Sequence, residues 1–560
     1  MTDPESIWRS DAYRHPTPWA TEFPPLTLTA MFERSAAHHA AKPLIDFLGR
    51  HYSYAETLDG ANRVAAGLAK LGYGPGDRIG LFLPNVPHYL AAYFGILKLG
   101  ATVVNFSPLY TVDELAHQAE DSGTRALFTL SASALLPTAL EVLDKSSITR
   151  LIVGSVAGAL PGTKSLFYRL FRGKEVTKRP DDPRIMAFSK LIANDGTGDH
   201  PAIDPETHVA VIQYTGGTTG TPKGAMLTHQ NLSANARQVE GMDPDPHGED
   251  RIIGVLPLFH VFANTCVMNR TVAKGGTIVM LPRFDGGQVL AAIERTKATA
   301  LPGVPTMYQA LLDHPKLKTT DLSSLRYCIS GGAPLPAEVK AKFENATGAR
   351  VIEGYGLSES SGVVSCNPYA SMGKVGTIGQ PIPATQVRLV DKEDPTRPPP
   401  DGEPGEIVVR GPQIMKGYWN RPDADADVFV DGWLRTGDVG QIDADGFIRV
   451  VDRLKDMIAV SGFKVFPSQI EAVLYKNPAV KEALVIGVPD TYRGEQPRAY
   501  VTLTDGATET PDTLKTWLNA QLGHHERVDQ VVVRLALPKT LVGKLSRKDL
   551  VEEVRSESSG

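Results

Sequence analysis

A run of glycine, threonine and one lysine is the feature of this sequence best suited to bind an anion. It covers residues 214–224 and reads YTGGTTGTPKG, with four glycines and four threonines. The apolar residues 209–213 before it predict a strand, so we expect the run to connect a strand to a helix. Free backbone N–H groups, hydroxyls and one ammonium can surround a polyphosphate. The GK[ST] ending of a Walker A loop is missing, so the sequence predicts a phosphate loop of another kind.

Further segments of the chain contain small residues, carboxylates or single cations next to predicted strands and turns. The small residues of SGGAPL at 330–335 would let a flat ligand approach the backbone. A single carboxylate after a strand or turn, or a lysine after a glycine, is by itself usually just solvated. It is their combination along one chain that suggests a site. The segments are EGYGLSE at 353–359, DGWLRTGD at 431–438, DRLKD at 452–456, SGFKV at 461–465, PKTLVGKLSR at 538–547 and LPLFHVF at 256–262.

Together these segments resemble the adenylate-forming superfamily, which includes acyl-CoA synthetases, peptide-synthetase adenylation domains and luciferases. The resemblance covers nearly the whole chain. Most members of the superfamily carry Ser where this chain has Gly216. The glycine form, together with QYTGGTTG, EGYGLSES and KDMIAVSGFKV, is similar to bacterial long-chain fatty acyl-CoA ligases.

The resemblance implies an ATP site built by the N-terminal part of the chain. The loop that would grip the β- and γ-phosphates consists of Thr215, Gly216, Gly217, Thr218, Thr219, Gly220 and Lys223. The residues that would border the adenine, the α-phosphate and the acyl group are Gly332, Ala333, Glu353, Tyr355, Gly356 and Ser358. Tyr355 would stack on adenine, Ser358 would touch the α-phosphate, and Glu359 with Thr215 would hold Mg²⁺. Asp438 and Arg453 would contact the ribose.

The resemblance also implies catalytic and moving parts. Lys544 would bridge the substrate carboxylate and the α-phosphate, and Lys455 would be the hinge between two domains. Gly462 and Lys464 would line the tunnel for the pantetheine arm of coenzyme A. His260 would lie beside the substrate carboxylate, although a lone histidine in an apolar setting is more often a core residue. A carboxylate is already ionised at neutral pH, so we do not expect His260 to act as a general base.

The function implied is ATP-dependent joining of a long-chain fatty acid to coenzyme A through an acyl-adenylate. Medium-chain or aryl acids remain open, because the side chains that set the depth of an acyl tunnel have no recognisable spacing. An acyl-AMP ligase that loads a carrier protein is a second alternative. A catalytically silent nucleotide-binding relative is disfavoured, because both Lys544 and Glu359 are present.

The elements that position these residues follow an α/β pattern. Helical and strand signals alternate over residues 56–103 and again over 251–305, which predicts two layered subdomains with mostly parallel sheets. Short β segments with Gly- and Pro-rich turns follow over 373–451 and predict a small barrel-like unit. The chain then returns to an α+β pattern. We expect an N-terminal domain over residues 1–452 and a smaller, mobile C-terminal domain over 453–560.

Composition narrows the function classes. The chain has 560 residues with 58 Lys and Arg against 63 Asp and Glu, which argues against dedicated nucleic-acid binding. Its three cysteines fit neither a disulfide framework nor a zinc site. No leader segment and no apolar run of about 18 residues is evident, so we expect a cytoplasmic protein. Residues 164–179 are basic and amphipathic, which fits either peripheral contact with the inner membrane or a solvated insertion. A monomer and a homodimer both remain open.

Overall fold

The computed structural model describes residues 4–162, 164–165, 176–215, 222–371, 373–461, 463–490, 492–540 and 543–558. The molecule is mixed α/β, with a large N-terminal part that contains three β-sheets and a smaller C-terminal domain built on a fourth. The fold class expected from the sequence is confirmed: both βα-rich regions form sheets flanked by helices. None of the helices within these described ranges is long and apolar enough to cross a bilayer.

The first sheet has eight strands and carries the predicted phosphate loop. Six neighbouring strands are parallel, and two antiparallel strands complete one edge. In sheet order the strands are Gly417–Tyr418, Lys223–Thr228, Val209–Thr215, Thr102–Asn105, Arg78–Leu81, Ala126–Leu130, Arg150–Gly154 and Ile185–Ala187. The parallel strands are largely buried, as expected for a sheet with both faces covered.

The second sheet has nine strands and carries the SGGAPL and EGYGLSE segments. Six of its strands are parallel. In sheet order the strands are Gln380–Pro381, Ser365–Cys366, Arg350–Tyr355, Tyr327–Gly331, Ala300–Gly303, Arg251–Gly254, Thr277–Met280, Pro43–Phe47 and Arg50–Ser53. The last two form a hairpin from the start of the chain. Its first strand pairs with Thr277–Met280, a long-range pairing that the local sequence pattern did not predict.

The helices cover the two large sheets and border the site. Ser53 begins a typical one, since its side chain accepts from the Glu56 N–H while the Glu56 carboxylate accepts from the Ser53 N–H. The α-helices are Pro4–Trp8, Leu28–His39, Tyr54–Lys70, Pro87–Lys98, Val112–Ser122, Leu136–Lys145, Val156–Ala159, Phe188–Leu191, His229–Glu240, Val261–Ala263, Arg270–Lys274, Gly286–Thr296, Pro305–Leu312, Ala337–Thr347, Pro422–Val428, Pro467–Leu474, Pro511–Asn519 and Arg547–Ser558. A π-helical turn covers Asn264–Asn269, and 3₁₀ turns cover Pro315–Thr319, Ser358–Ser360 and Leu454–Asp456.

The small β unit predicted over residues 373–451 is an antiparallel sheet of five strands. These strands are Gln386–Val390, Gly405–Arg410, Phe429–Val430, Trp433–Ile442 and Ile448–Arg453. Within the part of the chain that the structure describes, its strand pairing does not close into a complete barrel.

The C-terminal domain contains the fourth sheet and has a core of its own. Its strands are Ile458–Val460, Phe463–Val465, Val480–Asp490, Gly494–Leu503 and Val531–Val533. Buried residues such as Ile470, Val485 and Leu514 pack together in one cluster, distinct from the N-terminal core. A core of its own is typical of a structural domain.

Candidate active site

One cavity of about 2410 Å³ follows the junction between the N-terminal part and the C-terminal domain. Most of the predicted site residues that the structure describes line it, although they come from three sheets and from widely separated parts of the chain. They are Thr215, His260, Gly332, Ala333, Glu353, Tyr355, Gly356, Ser358, Glu359, Asp438, Arg453, Lys455 and Lys544.

The two strands that flank the predicted phosphate loop form an antiparallel pair. Thr215 ends one strand and Lys223 begins the next, and the two residues face each other across the antiparallel pair. The expected strand-to-helix connection is therefore wrong. Residues 223–228 pair with the preceding strand, and the helix begins only at His229, capped by Thr228. The loop residues Gly216, Gly217, Thr218, Thr219 and Gly220 lie outside the described residues.

Tyr418 lies near the two ends of this loop and contacts both a carboxylate, Glu359, and a cation, Lys223. The Tyr418 hydroxyl donates to Glu359 Oε1 over 2.7 Å, and Lys223 Nζ lies 5.1 Å from the centroid of the Tyr418 ring. Glu359 is further fixed by its backbone carbonyl, which accepts from the Met415 N–H at 2.8 Å. Sequence reasoning missed Tyr418. In the sequence Tyr418 is only an aromatic residue, and no local pattern links it to the loop. The structure links the two through the edge strand Gly417–Tyr418.

Glu359 fits the requirements of a magnesium site that is completed by substrate. Mg²⁺ in nucleotide sites is commonly bound by one or two carboxylates plus phosphate oxygens. Over the described ranges the chain offers no cluster of three or more His, Cys, Asp or Glu residues that could hold a metal unaided. Glu359 lines the cavity, is half-buried, and uses one oxygen for Tyr418, so its second oxygen is free to face a ligand.

The Asp438 carboxylate contacts both Arg453 and Tyr355, and it could also accept hydrogen bonds from two hydroxyls of a sugar. Asp438 and Arg453 are paired across two neighbouring strands, and Arg453 Nε lies 3.2 Å from Asp438 Oδ1. The Tyr355 hydroxyl donates to Asp438 Oδ2. A carboxylate has about four acceptor positions, so two remain after these contacts. Burial raises the pKa of Asp438, and Arg453 opposes this rise.

Lys544 reaches the cavity from the C-terminal domain. A Cβ atom built on Gly332 would lie 2.4 Å from Lys544 Cε and 2.9 Å from Nζ, so the lysine side chain crosses the open face of this glycine. Burial lowers the pKa of Lys544 to about 8; Arg453 acts in the same direction and Asp438 opposes both. The structure therefore places Lys544 near Asp438 and Arg453 in this cavity, and its expected role between a carboxylate and an α-phosphate stays a prediction.

His260 lies beside Lys544 and is held neutral. Its Nδ1 accepts from the Phe262 N–H at 3.3 Å, and this contact caps the short helix Val261–Ala263. The remaining proton is then assigned to Nε2, which leaves that nitrogen as a donor. Burial, together with the nearby Lys544 cation, lowers the pKa of His260 to about 3. A neutral donor of this kind could orient a carboxylate, and the role of His260 stays a prediction.

Glu353 and Ser330 are neighbours on paired strands and have unsatisfied atoms. Glu353 Oε1 and Ser330 Oγ are buried without a hydrogen-bond partner among the described residues. Burial raises the pKa of Glu353 from 4.5 to about 7. Both residues line the cavity, so a bound molecule could satisfy them. Nearby, Gly356 is needed for close packing, because a Cβ there would lie 2.1 Å from the Gly362 carbonyl oxygen.

The expected hinge is tied to the C-terminal domain by Arg547. Its guanidinium lies 3.1 Å from Asp456 Oδ2 and 2.7 Å from Glu471 Oε2. Lys455, in the same turn as Asp456, is exposed, and partial desolvation of its ammonium lowers its pKa. Sequence reasoning assigned no role to Arg547, because its partners are distant along the chain.

The segment expected to line a pantetheine tunnel is a hairpin. Ile458–Val460 pairs with Phe463–Val465, and the backbone of Lys464 lies opposite Ala459. Gly462 lies outside the described residues. Ile458 lines the cavity.

An apolar part of the same cavity adjoins His260 and Ser330. Its lining residues are Val239, Met242, Val261, Phe262, Cys266, Val363 and Tyr369. Cys266 belongs to the turn Asn264–Asn269, whose π-helical geometry is often found at functional sites, and Val261 and Phe262 precede this turn. The site thus joins a polar half and an apolar half at the position of Lys544.

The chain belongs to the AMP-binding enzymes. The sequence model of that family matches residues 32–419, and the model of the AMP-binding enzyme C-terminal domain matches residues 469–544.

Individual relatives show which members of this family the chain is similar to. The chain is 40% identical over 550 residues to a long-chain-fatty-acid–CoA ligase of Bacillus subtilis, with 96% of this chain and 98% of the relative covered. It is 37% identical over 503 residues to a feruloyl-CoA synthase of an Amycolatopsis species, with 90% and 94% covered. The solved structure of ATP-bound MatB from Rhodopseudomonas palustris has a TM-score of 0.82 at 28% identity and covers 96% of this chain and 100% of that one. The apo form of MatB, also 28% identical, has a TM-score of 0.73 with 95% and 99% covered.

Proposed function

We propose that this chain is an AMP-forming long-chain fatty acid–CoA ligase. The observation that carries the proposal is the position of Lys544, which lies between the polar and apolar halves of one cavity. A cation there is suited to bring together two anions, a carboxylate and an α-phosphate. The ligase of Bacillus subtilis, similar over nearly the full length of both chains, supports the long-chain substrate.

In the first step the chain would bind ATP and activate the acid. The loop between Thr215 and Lys223 would hold the β- and γ-phosphates, Tyr355 would stack on adenine, and Asp438 would accept from the ribose hydroxyls. Mg²⁺, held by Glu359 with the phosphates, would supply charge neutralisation. The carboxylate oxygen forms a bond to the α-phosphorus while the bond from that phosphorus to the bridging oxygen breaks, and pyrophosphate leaves with the electron pair. Lys544 would stabilise the charge that gathers there.

In the second step the C-terminal domain would turn about Lys455. This motion would withdraw Lys544 and bring the hairpin that contains Gly462 and Lys464 to the cavity. The sulfur of coenzyme A would then form a bond to the acyl carbon and lose its proton to solvent. The bond between that carbon and the phosphate oxygen would break, and AMP would leave with the electron pair. Such domain motions commonly limit turnover. The proposed domains are residues 1–452 and 453–560.

An aryl acid is the second candidate substrate. The feruloyl-CoA synthase of Amycolatopsis is almost as similar to this chain as the Bacillus enzyme, which favours this alternative over the others. The apolar part of the cavity, with Phe262 and Tyr369 in its lining, is compatible with a ring as well as an alkyl chain.

We further propose that the enzyme works in the cytoplasm and can contact the inner membrane through residues 164–179, of which residues 166–175 lie outside the described part. Replacing the basic residues of this segment by glutamine should weaken binding to anionic vesicles. Unchanged binding would show that this segment is a solvated insertion. Light scattering would decide between a monomer and a homodimer.

One assay tests the proposed activity and substrate together. Purified enzyme is given ATP, Mg²⁺, coenzyme A and a ladder of acids from C4 to C20, plus ferulate, and AMP release is measured. We expect the highest kcat/KM for long-chain acids, with AMP release that requires coenzyme A. A preference for ferulate would establish the aryl alternative, and adenylation without coenzyme A-dependent AMP release would indicate a ligase that loads a carrier protein.

The role of Lys544 is tested by separating the two steps. Lys544→Ala should abolish most acid-dependent exchange of pyrophosphate into ATP but largely spare thioester formation from preformed acyl-adenylate. Equal loss in both steps would show that the assigned role is wrong.

A further inference from the structure

The helix Pro305–Leu312 of the N-terminal part contacts the C-terminal domain at both ends. At its start, the Thr306 hydroxyl donates to the Gly543 carbonyl oxygen over 2.9 Å. Just after its end, Asp313 lies 3.6 Å from Lys481. The two contacts join parts of the chain more than 160 residues apart, so they exist only while the two domains are in this arrangement.

The contact at Thr306 lies directly before Lys544. The loop that carries Lys544 is closed by its own bonds: the Thr540 N–H donates to the Lys544 carbonyl at 2.6 Å, and the Gly543 N–H donates to the Thr540 carbonyl at 2.8 Å. Thr540 Oγ1 also accepts from the Lys544 N–H at 3.2 Å. Because these bonds tie Thr540 to Gly543 and Lys544, fixing the Gly543 carbonyl also fixes the backbone from which the Lys544 side chain extends.

Gly543 allows Thr306 to approach this closely. Its φ of +82° lies in the left-handed region, and a Cβ there would lie 3.3 Å from Thr306 Oγ1. The glycine therefore serves both the turn of the loop and the approach of the hydroxyl.

The contact at the other end of the helix is weaker. The side chains of Lys481 and Asp313 are 41% and 51% exposed, and an exposed ion pair contributes little. Thr306 is half-buried in the cavity wall and makes a hydrogen bond to the segment that carries Lys544. Of the two contacts, it is the one placed to control Lys544.

We propose that Thr306 is a positioning residue for adenylation. Its hydroxyl holds the Gly543 carbonyl and thereby keeps the Lys544 ammonium in the cavity, and the bond is released when the C-terminal domain turns for thioester formation. This inference rests on the proposed role of Lys544.

Three variants of the full-length enzyme test it. Thr306→Val keeps the shape of the side chain and removes the donor, Thr306→Ser keeps the donor, and Lys481→Gln removes the peripheral contact. Each is measured for acid-dependent pyrophosphate exchange and for thioester formation from synthetic acyl-adenylate. Lys544→Ala and its double variant with Thr306→Val are measured in parallel.

We expect Thr306→Val to lower kcat of adenylation about tenfold, roughly the effect of one hydrogen bond that acts in the transition state, with KM for ATP unchanged. Thioester formation should stay at the wild-type rate, Thr306→Ser should restore adenylation, and Lys481→Gln should change it less than about twofold. Thr306→Val should cause no further loss in the Lys544→Ala background, because both act through the same ammonium.

Two results would overturn this inference without affecting the proposed role of Lys544. In the first, Thr306→Val leaves adenylation intact while Lys544→Ala abolishes it. In the second, Thr306→Val and Thr306→Ser have equal effects. Equal loss in both half-reactions would reduce Thr306 to a structural residue. If Lys544→Ala spared adenylation, the proposed role of Lys544 would fail and this inference with it.

Discussion

Gly332→Ala tests whether Lys544 must follow the path that the structure gives it. The new methyl group would lie 2.4 Å from Lys544 Cε, about 1 Å closer than ordinary contact, so the lysine must shift by about that distance. A displacement of roughly 1 Å at a reacting centre can cost about 100-fold in rate. The flexible side chain can absorb part of the shift, so we expect adenylation to fall by about 10-fold to 100-fold.

The assay compares pyrophosphate exchange with thioester formation from preformed acyl-adenylate. Gly332 has a φ of +82°, so alanine also adds backbone strain of about 1 kcal/mol. Gly348→Ala is the matched control, because its φ is +73° and a Cβ there meets nothing within 4 Å. The control should lose similar stability and keep its activity. Equal loss of both half-reactions in Gly332→Ala, or additive losses with Lys544→Ala, would refute the argument, since the methyl group would then obstruct the adenylate itself.

Three further predictions concern charge. Burial lowers the pKa of Lys544 to about 8, so kcat/KM for adenylation should fall above about pH 8 as the ammonium loses its proton, and Lys544→Arg should move this fall to higher pH; an unmoved profile would assign it to another group. The pKa of Glu353 is raised from 4.5 to about 7, so the native state retains a proton that the unfolded state loses, and stability should decrease by about 3 kcal/mol as pH rises through that window. Glu353→Gln should remove this decrease in urea unfolding at pH 5 and pH 8, and an identical pH dependence in the variant would contradict the assignment. Arg547→Gln should destabilise the C-terminal domain by roughly 2 kcal/mol, because it leaves the carboxylate of Glu471 partly buried and unpaired. The control Lys548→Gln, which removes an exposed pair, should change the unfolding midpoint little, and equal midpoints for the two variants would contradict the buried-pair argument.

The segments expected to meet were chosen because together they resemble those of the adenylate-forming superfamily. Asp438 and Lys544 were assigned from that resemblance, and the structure places them in one cavity. What local patterns could not provide was pairing at long range. Tyr418 contacts Glu359 only because a two-residue edge strand pairs with the strand that follows the phosphate loop.

The expectation that a helix follows the phosphate loop failed for a related reason. Residues 223–228 are six residues long and alternate weakly, so their periodicity does not separate strand from helix. Their partner is the strand that precedes the loop, and this antiparallel pairing decides the conformation. The hairpin places Thr215 and Lys223 side by side, so both ends of the loop are anchored on one rigid sheet.

The charges around Lys544 connect the proposed adenylation to the proposed motion of the C-terminal domain. Lys544 is buried near Arg453, and both factors disfavour its ammonium form when no anion is present. A triphosphate would reverse this balance, so ATP would stabilise the arrangement in which Lys544 is inserted. A ligand shifts a conformational equilibrium by its difference in affinity for the two states. Once pyrophosphate leaves, much of the negative charge leaves with it. The contacts that still hold the segment before Lys544 include the hydrogen bond from Thr306 to the Gly543 carbonyl, worth about 1 kcal/mol. Completion of adenylation would therefore itself release the C-terminal domain for the second step.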